Sequence, residues 1–572
     1  MQIIQTGVLV IGGGGAAARA ALEAKLAGAD VVLATKGQFG AIGTRGAGAT
    51  ASGNSAASVF ATPGWTGPLS DLEKRLAYMA APSPDQAYTN IIQAGLGMAD
   101  PQLVRVLIED AVPTRQRLLD WGATFDEFGM RSHGVPIMAV LATEIRRSGV
   151  TVLNRTMIVS LLVRNGECLG AVGIDESNGE TLRIRAGATV IGTGGDANLF
   201  LHNLNPPDNT GDGYVLGYEA GAELMNLEFK QIFLGTIHPT RNMLTQGLPP
   251  HVRLTNGRGK EFLHNYLPEG AYPEECLAQR NGHNPFSTRD NLSRYVDIAM
   301  IREVQVGRAT EHQGIYLDRT DPQITPMTGP RNEFWLYRGI DFSRPVEIGV
   351  CHHCSLGGLR IDTNAETSVK RLYAAGEAAA GPHGADRMGG HMLLASQVFG
   401  ARAGKHGAAA ALKEKRPDIA AGSFRDAEEN IKAWRGRKGD LAPSRARGEL
   451  CKTAYFNLLV IRSQENLTRF LADVKRIEQE MVPRLNVTGP EELLQALELQ
   501  NLLRLAELEA GVCLRRTESR GPHYREDFPH QDDKSWLQTI TVRKVDGKPQ
   551  MDSVVLDPAW KDKGDASIGY WG

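Results

Sequence analysis

The sequence predicts an α/β fold that comprises a Rossmann-like dinucleotide-binding domain, an inserted α+β capping domain and a C-terminal helical domain. A buried strand, a glycine turn and an alanine-rich helix follow one another over residues 3–27. Residues 231–345 lose the alternation of strand and helix patterns and carry many Pro, Asn and His. Beyond residue 416, long stretches show the apolar spacing of packed antiparallel helices.

These changes in composition divide the chain, because 572 residues are more than one hydrophobic core supports. The predicted segments are the first part of the nucleotide-binding domain at 1–230, the capping domain at 231–345, the second part of the nucleotide-binding domain at 346–415, the helical domain at 416–540 and a polar C-terminal extension at 541–572.

Composition excludes several classes of function. The net charge is −2, so no basic field is available to hold a nucleic acid. The 6 Cys are irregularly spaced, which favours a reducing compartment over a disulfide framework. The N-terminus lacks a basic leader, and no apolar run reaches the about 20 residues that span a bilayer. We therefore expect a cytoplasmic protein without direct membrane insertion.

The glycine turn at residues 12–17 has the G-x-G-x-x-G/A spacing of dinucleotide-binding sites. Gly12 permits the tight turn, and Gly14 lets the backbone approach a pyrophosphate. Gly15 and Ala16 open the helix, whose N-terminal N–H groups favour an anion. A glycine-rich turn without a ligand is the alternative, which the preceding strand and following helix disfavour.

The second strand ends in Thr35-Lys36, where NAD-binding proteins carry an acidic residue for the ribose. This argues against NAD. Thr35 or Lys36 would contact the ribose instead, and an ordinary solvated strand end is the alternative for Lys36. Residues 37–58 are mostly small, which suits a loop that lies close to a ligand.

Further motifs recur in order along most of the chain, and together they resemble the flavoprotein subunit family of succinate dehydrogenase and fumarate reductase, which includes aspartate oxidase. They are GTGG at 192–195, NTGDG at 209–213, AGA at 220–222, EFKQ at 228–231, RDNLSR at 289–294, HCSLGG at 353–358, Glu377, HGADRMG at 383–389, RTESRGPH at 516–523 and REDFP at 525–529.

The resemblance implies FAD as the cofactor. Many family members bond FAD covalently to a His near the loop after the second strand, whereas residues 43–50 here contain none, so we expect noncovalent FAD. A buried capping role is the alternative for Glu377. The predicted cofactor-binding residues are Gly12, Gly14, Gly15, Ala16, Thr35, Lys36, Thr44, Gly48, Thr193, Gly194, Asp212, Glu377, His391 and Met392.

The resemblance also implies hydride transfer to or from a carbon–carbon bond next to a carboxylate. Arg387 would grip one substrate carboxylate bidentately, and His353 would hydrogen-bond another oxygen. Arg294 matches the family's proton donor. Without the resemblance, Arg294 would be interpreted as a surface cation, Arg387 as a residue that contacts a phosphate or a helix end, and His353 as a structural residue.

The chain departs from the family around this substrate site. Phe233 stands where the family has a His, and His238 follows five residues later as a replacement or as an unrelated residue. Gln246 stands in the place of the relay Glu, although Gln cannot cycle a proton. His391 and Met392 replace a small polar pair. We therefore expect a different substrate acid, bulkier or less charged than fumarate.

Cys351 and Cys354 form a C-x-x-C pair, which is compatible with redox chemistry, metal binding or packing. No second pair stands at zinc spacing. Packing is the prediction, with no metal site.

The leading prediction is the catalytic subunit of a complex with an iron–sulfur protein, since the chain has no run of cluster-ligating Cys. Attachment to a membrane would then occur through partner subunits. The alternatives are an autonomous flavin oxidase like aspartate oxidase, and an FAD electron-transfer subunit that has lost dicarboxylate chemistry.

Overall fold

The computed structural model describes most of the chain, namely residues 3–41, 58–59, 84–125, 131–132, 134–244, 248–282, 285–288, 292–413 and 421–555. Within these ranges, none of the helices combines the length and the apolar character that crossing a bilayer requires.

The strands, numbered in chain order, are β1 Ile3–Ile11, β2 Val31–Ala34, β3 Ser58–Val59, β4 Arg131–Ser132, β5 Thr151–Leu153, β6 Thr156–Arg164, β7 Glu167–Asp175, β8 Thr181–Ile191, β9 Leu224–Met225, β10 Lys230–Thr236, β11 Asn242–Met243, β12 Arg253–Thr255, β13 Ile315–Asp318, β14 Val346–Ser355, β15 Gly358–Arg360, β16 Leu372–Ala374, β17 Ala379–Ala380, β18 Gln538–Val545 and β19 Lys548–Val555.

The α-helices are α1 Gly15–Leu26, α2 Pro84–Ala94, α3 Pro101–Glu109, α4 Ala111–Asp120, α5 Gly134–Ser148, α6 Asp212–Glu219, α7 Pro273–Gly282, α8 Arg294–Gln305, α9 Gly329–Tyr337, α10 His391–Lys413, α11 Arg425–Trp434, α12 Pro443–Ala454, α13 Gln464–Arg476, α14 Pro490–Arg515 and α15 Asp533–Trp536.

The first sheet has the order β5-β2-β1-β8-β7-β6, with β16 paired to β8. Strand β1 lies at its centre and pairs in parallel with β2 and β8. The run Val8, Leu9, Val10 and Ile11 is buried, as expected for a strand covered on both faces. The predicted strand–turn–helix unit is thus present, with α1 beginning at Gly15.

The second sheet, β11-β10-β14-β13-β12, forms the core of the cap. Strand β14 pairs antiparallel with β10, from Lys230 opposite Ser355 to Thr236 opposite Ile348. The cap sheet therefore extends past the predicted boundary at residue 345. The sequence pattern hid this because β14 is buried on both faces, so it lacks the alternation of a half-exposed strand.

The third sheet, β17-β15-β9-β18-β19, corrects the prediction of a polar extension from residue 541. Strands β18 and β19 form an antiparallel hairpin, and β18 pairs with β9. Ile540 and Val542 are fully buried, and Asp546 and Gly547 both have the positive φ of a tight hairpin turn. The sequence prediction missed the hairpin because the polar residues of its outer face resemble those of an unstructured extension.

The helices of the C-terminal part include α12, α13 and α14, which pack against one another as predicted. Helix α14 is the longest of these, with 26 residues, and its apolar face joins the same core cluster as the cap. The helical part is therefore joined to the cap by a continuous hydrophobic core.

Helix α10 packs closely on α1, which supplies a test of this contact. A Cβ at Gly404 would lie 2.2 Å from the main-chain O of Ala20, whereas a Cβ at Gly407 would make ordinary contacts with the Tyr373 ring at 3.6 Å and with Val190 Cγ2 at 3.7 Å. We expect Gly404→Ala to lower the free energy of unfolding by about 1–3 kcal/mol because the two helices must separate. The matched Gly407→Ala should raise it, by up to about 1 kcal/mol, through helix propensity. Urea unfolding measures both, and equal midpoints for the two variants would contradict the close approach.

Candidate active site

A cavity opens at the carboxyl ends of β1, β2 and β8, where ligands bind in open α/β sheets. One side is formed by the glycine turns of the first sheet, and the other by β14 and the turn before α10. Its lining residues are 11–16, 34–36, 156–158, 192–194, Leu204, Asn205, Asp208, Asn209, Asp212, Leu216, His353, Cys354, 375–377, Arg387, Gly390, Met392, Leu393 and Ser396.

The N-terminus of α1 faces this cavity. Gly12 has φ +122°, and a Cβ there would lie 2.3 Å from the O of Gly192, so only glycine fits. Gly14 caps the helix without a side-chain hydrogen bond, and the first turn contains no acid. Gly15 and Ala16 also line the cavity. The N–H donors of a helix start fit the pyrophosphate of a dinucleotide.

Lys36 lies on the cavity wall with only 11% of its side chain exposed. Its Nζ donates to Thr210 Oγ1 at 2.8 Å, to Asp212 Oδ2 at 2.7 Å and to Glu498 Oε1 at 2.8 Å. These acceptors take the three protons of an ammonium, so Lys36 supports the wall rather than offering a donor to a ribose. Thr35 and the carboxylate of Asp212 also line the cavity. The Asp212 carboxylate can accept a hydrogen bond from a ribose hydroxyl.

Thr193 and Glu377 occupy the next part of the wall. The Thr193 hydroxyl is buried and has no hydrogen-bond partner among the described residues, so it is open to a ligand. The Oε1 atom of Glu377 accepts a hydrogen bond from the main-chain N–H of Ser355 at 2.8 Å. Burial raises the pKa of Glu377 to about 7, so its carboxyl titrates near neutral pH. Gly194 completes this stretch.

Arg387 places a buried cation in the cavity, with 4% of the residue exposed. Its Nε and Nη2 donate to Gln231 Oε1 at 3.1 and 2.6 Å, and its Nη1 donates to the O of Met388 at 2.9 Å. Three of the five N–H donors are thus engaged and two remain. Among the described residues no carboxylate forms an ion pair with it, so the guanidinium can receive an anionic ligand.

His353, near the end of β14, lines the cavity beside Arg387. Its ring meets Phe233 edge to face, with 4.8 Å between centroids, and its Nδ1 has no partner in the described part of the chain. Burial, with the nearby positive charge of Arg387, lowers the pKa of His353 to about 3. His353 is therefore neutral near pH 7 and acts as a hydrogen-bonding group rather than as an acid.

Arg294 begins α8 and is half-buried, and it does not line the cavity formed by the described residues. Its Nη1 donates to the O of Thr288 at 3.3 Å, and the N–H of Thr288 donates to the O of Gly521 at 2.8 Å. Gly521 packs on Ala385 in the turn that carries Arg387. The segment of Arg294 thus lies beside the turn of Arg387.

The structure does not bring His238 to the cavity. His238 lies beyond the last residue of β10, is exposed and stacks on His312 with 3.9 Å between ring centroids. This geometry corrects its assignment as a catalytic residue, because the five residues after Phe233 carry it past the end of the strand. His391 is also absent from the lining: it is buried and its Nδ1 is 3.1 Å from the O of Gly389, while Met392 does line the cavity.

Some predicted residues fall outside the described part of the chain. They are Thr44, Gly48, the 245–247 segment and residues 289–291. The loop without a flavin-linking His at 43–50 lies there as well.

Gln231 is a site residue that the sequence analysis quoted only as part of a motif. Its Oε1 receives two bonds from Arg387, and its Nε2 donates to the O of Arg387 at 3.2 Å and to Asp386 Oδ1 at 3.4 Å. The Cys354 thiol donates to the same Oε1 at 3.4 Å. The available signal was a Lys-Gln pair at the start of a fully buried strand.

The side chains of Cys351 and Cys354 lie in different environments. Cys354 lines the cavity, whereas Cys351 packs in an apolar cluster with Leu204, Phe233, Ile237 and Met243. Both are free thiols, and no group of three metal-ligating residues occurs in the described ranges. Packing accounts for Cys351, and the Gln231 contact for Cys354.

The carboxyl of Glu377 supplies a test of this electrostatic environment. Its folded-state pKa of about 7, raised from 4.5, means that its contribution to stability is complete below pH 4.5 and is lost as pH rises through 7. Between pH 5 and 8, Glu377→Gln should therefore gain about 2 kcal/mol of unfolding free energy relative to wild type. Urea unfolding of the flavin-free protein checks this. Glu507→Gln, at an exposed carboxylate, is the control, and parallel pH profiles for wild type and Glu377→Gln would refute the raised pKa.

Comparisons with known proteins agree with this site. The profile described as FAD binding domain matches residues 7–393, and that described as Fumarate reductase flavoprotein C-term matches residues 447–560. The second profile includes the C-terminal hairpin. FAD as the cofactor is thereby confirmed.

The chain is 30% identical to a subunit of the fumarate reductase (CoM/CoB) of Methanothermobacter marburgensis, over 95% of this chain and 98% of that one. It is 27% identical to an L-aspartate oxidase of Streptomyces coelicolor, over 94% and 92% of the two chains. The FrdA protein of E. coli quinol fumarate reductase shares the fold, with a TM-score of 0.77 and 22% identity over 97% of both chains. The chain therefore belongs to the flavoprotein family of succinate dehydrogenase and fumarate reductase, as its motifs predicted, and is an FAD-dependent oxidoreductase.

Proposed function

We propose that this protein is the catalytic flavoprotein subunit of a reductase or dehydrogenase that acts on an unsaturated or saturated carbon–carbon bond beside a carboxylate. The observation that carries the proposal is the guanidinium of Arg387, which is buried in the FAD cavity with two donors to spare. A buried cation without a carboxylate partner is costly unless an anionic ligand neutralises it.

The residues of the cavity fit FAD. The N-terminus of α1, with Gly12 and Gly14, would hold the pyrophosphate. The Asp212 carboxylate would accept a hydrogen bond from a ribose hydroxyl. Thr193 and Glu377 present a free hydroxyl and a carboxyl to the rest of the molecule. When bound, FAD supplies the acceptor and donor of hydride.

Substrate binding follows from the two free donors of Arg387. They belong to its terminal nitrogens, because Gln231 takes the Nε side of the guanidinium. One carboxylate can therefore be held end-on by two parallel hydrogen bonds. The neutral His353 would donate a further hydrogen bond to a substrate oxygen. Withdrawing electrons through that carboxylate makes the adjacent carbon–carbon bond a better hydride acceptor.

Arg294 would give a proton to the second carbon, a role that rests on the family motif. Arginine is normally too weak an acid for this. In a closed site without water, a strongly basic carbon takes the proton in concert with hydride transfer. The position of Arg294 beside the Arg387 turn is compatible with that role.

The electron partner would be an iron–sulfur protein. The described cysteines are free and form no cluster site, so a cluster must be on another chain. The related M. marburgensis chain is itself named as one subunit of a reductase, and E. coli FrdA belongs to a quinol fumarate reductase. We infer a cytoplasmic location, with membrane contact through partner subunits.

An oxidase like L-aspartate oxidase is the second candidate, since such an enzyme is 27% identical over 94% of this chain. Air reoxidation of the reduced protein separates the two. Rapid reoxidation by O₂ favours the oxidase, whereas slow reoxidation with fast transfer to an iron–sulfur or dye acceptor favours the catalytic subunit of a complex. The available donors of Arg387 count against a chain that has lost substrate chemistry.

The role of Arg387 is tested by mixing anaerobically reduced protein with fumarate in a stopped-flow instrument. We expect the oxidised-flavin band to return in wild type, and Arg387→Ala to slow this by about 100- to 1,000-fold because a charged hydrogen-bonded clamp is lost. Arg504→Ala, which removes an exposed ion pair with Glu507, is the control and should match wild type.

Equal rates for Arg387→Ala and wild type would overturn the assignment. A wild-type flavin that stays reduced with fumarate, but not with another unsaturated acid, would show that the departures around Phe233 have changed the substrate.

The attachment of FAD is tested by acid precipitation. Because residues 43–50 contain no His, we expect all of the flavin to appear in the supernatant and none to migrate with the denatured chain on a gel. Flavin fluorescence in the protein band would disprove noncovalent binding.

A further inference from the structure

Behind Glu377 lies a buried ionic cluster that substrate chemistry does not use. The ammonium of Lys230 on β10 pairs with Asp196, and it donates to Glu509 Oε1 at 2.7 Å and to Ser355 Oγ at 3.1 Å. The side chains of Lys230, Asp196 and Glu509 expose 1% of their surface or less. Ser355 also bonds Asp196, and its main-chain N–H binds Glu377.

This arrangement contains more acids than bases. Three buried carboxyls, of Asp196, Glu509 and Glu377, share the ammonium of Lys230, and the guanidinium of Arg387 also lies near Glu377. A buried carboxylate without its own counter-charge is strongly disfavoured, so the surplus carboxyls bind protons more tightly than exposed carboxyls do. Lys230 holds the pKa of Asp196 well below its usual range, whereas burial raises the pKa of Glu509 well above its usual range.

Glu377 is the member of this group that meets the cavity. The charged and titratable groups that face it are Asp196 after β8, Lys230 on β10, the thiol of Cys354 on β14 and Arg387 before α10. Strand β14 presents the N–H of Ser355, and α6 presents the hydroxyl of Tyr214, which donates to the main-chain O of Glu377. Within the described ranges no other group supplies a strong counter-charge to the Glu377 carboxylate, so its proton affinity responds to charge that appears in the cavity.

Reduction changes the charge in that cavity. A flavin ring that takes up two electrons and one proton gains one negative charge, and in bound FAD this charge would fall within the cavity that Glu377 lines. We propose that Glu377 takes up one proton from water for every two electrons that enter the flavin, while the Asp196–Lys230–Glu509 cluster keeps a constant charge behind it. Two electrons and two protons then enter the site together, one proton on the flavin and one on Glu377, so the net charge is unchanged.

This inference rests on the FAD site of the proposed function but not on its substrate. Spectroelectrochemical titration of the FAD-loaded protein from pH 7.5 to 8.5 tests it, with an electrode and mediator dyes as the source of electrons. Wild type should show a midpoint potential that falls with pH at the slope of two protons per two electrons. Glu377→Gln should show half that slope.

Two control variants locate the effect. Glu509→Gln replaces a carboxyl of the cluster that does not line the cavity and should keep the wild-type slope, as should the exposed Glu507→Gln. Because no substrate takes part, a failure of the fumarate reaction leaves this titration unchanged. The proposal is overturned if the wild-type slope corresponds to one proton per two electrons, or if Glu377→Gln has the wild-type slope.

A second measurement uses wild type alone, in case Glu377→Gln does not fold. Infrared difference spectra of reduced minus oxidised protein at pH 8 should gain the C=O band of a protonated carboxylic acid, shifted in D₂O. At pH 5 the band should be present before reduction and show no gain. If this C=O band does not grow on reduction at pH 8, the proposal is wrong.

Discussion

The buried pairing of Lys230 with Asp196 and Glu509 is the contact on which the arrangement of the molecule depends. It joins the turn after β8, the cap strand β10 and the helix α14, which come from three separate parts of the chain. Removing the ammonium would leave the buried Asp196 carboxylate without its counter-charge and Glu509 without its hydrogen-bond donor, a loss that well-packed apolar neighbours do not offset. Lys36, which follows β2 and lines the cavity, has a similar arrangement with Asp212 and with Glu498, also on α14.

Helix α14 therefore supplies one acidic side chain to Lys36 and one to Lys230. Glu498 and Glu509 are 509 − 498 = 11 residues apart, close to three helical turns, so both lie on one face about 16 Å from each other. The rest of that face is rich in leucine, and a leucine surface alone permits a shift of one turn at little cost. The hydrogen bonds that Lys36 and Lys230 donate to Glu498 and Glu509 oppose such a shift, because it would break both of them. The register of the helical part along the FAD cavity follows from these two contacts.

What the sequence predicts well is local. The strand, turn and helix of residues 3–27 depend on neighbours within the segment, and the need for glycine at Gly12 follows from the turn itself. The two lysine clusters could not be predicted, since Glu509 lies 279 positions beyond Lys230 and Glu498 lies 462 beyond Lys36. His238 misled because the spacing of a motif does not reveal where β10 ends. Gln231 escaped notice because its role exists only through its contact with Arg387.

In the proposed mechanism, the charge of the substrate determines what Arg294 must do. Arg387 provides one positive charge with two donors, His353 is neutral, and Phe233 stands where the family has a further His. A monocarboxylate is therefore neutralised by Arg387 alone. A dicarboxylate brings a second negative charge, whose burial beside Phe233 is costly unless another cation meets it. In its proposed role, Arg294, which lies next to the Arg387 turn, would neutralise that charge until it gives up its proton. Binding a second carboxylate and supplying the proton are then one requirement on a single side chain, whereas a monoacid would need Arg294 for the proton alone.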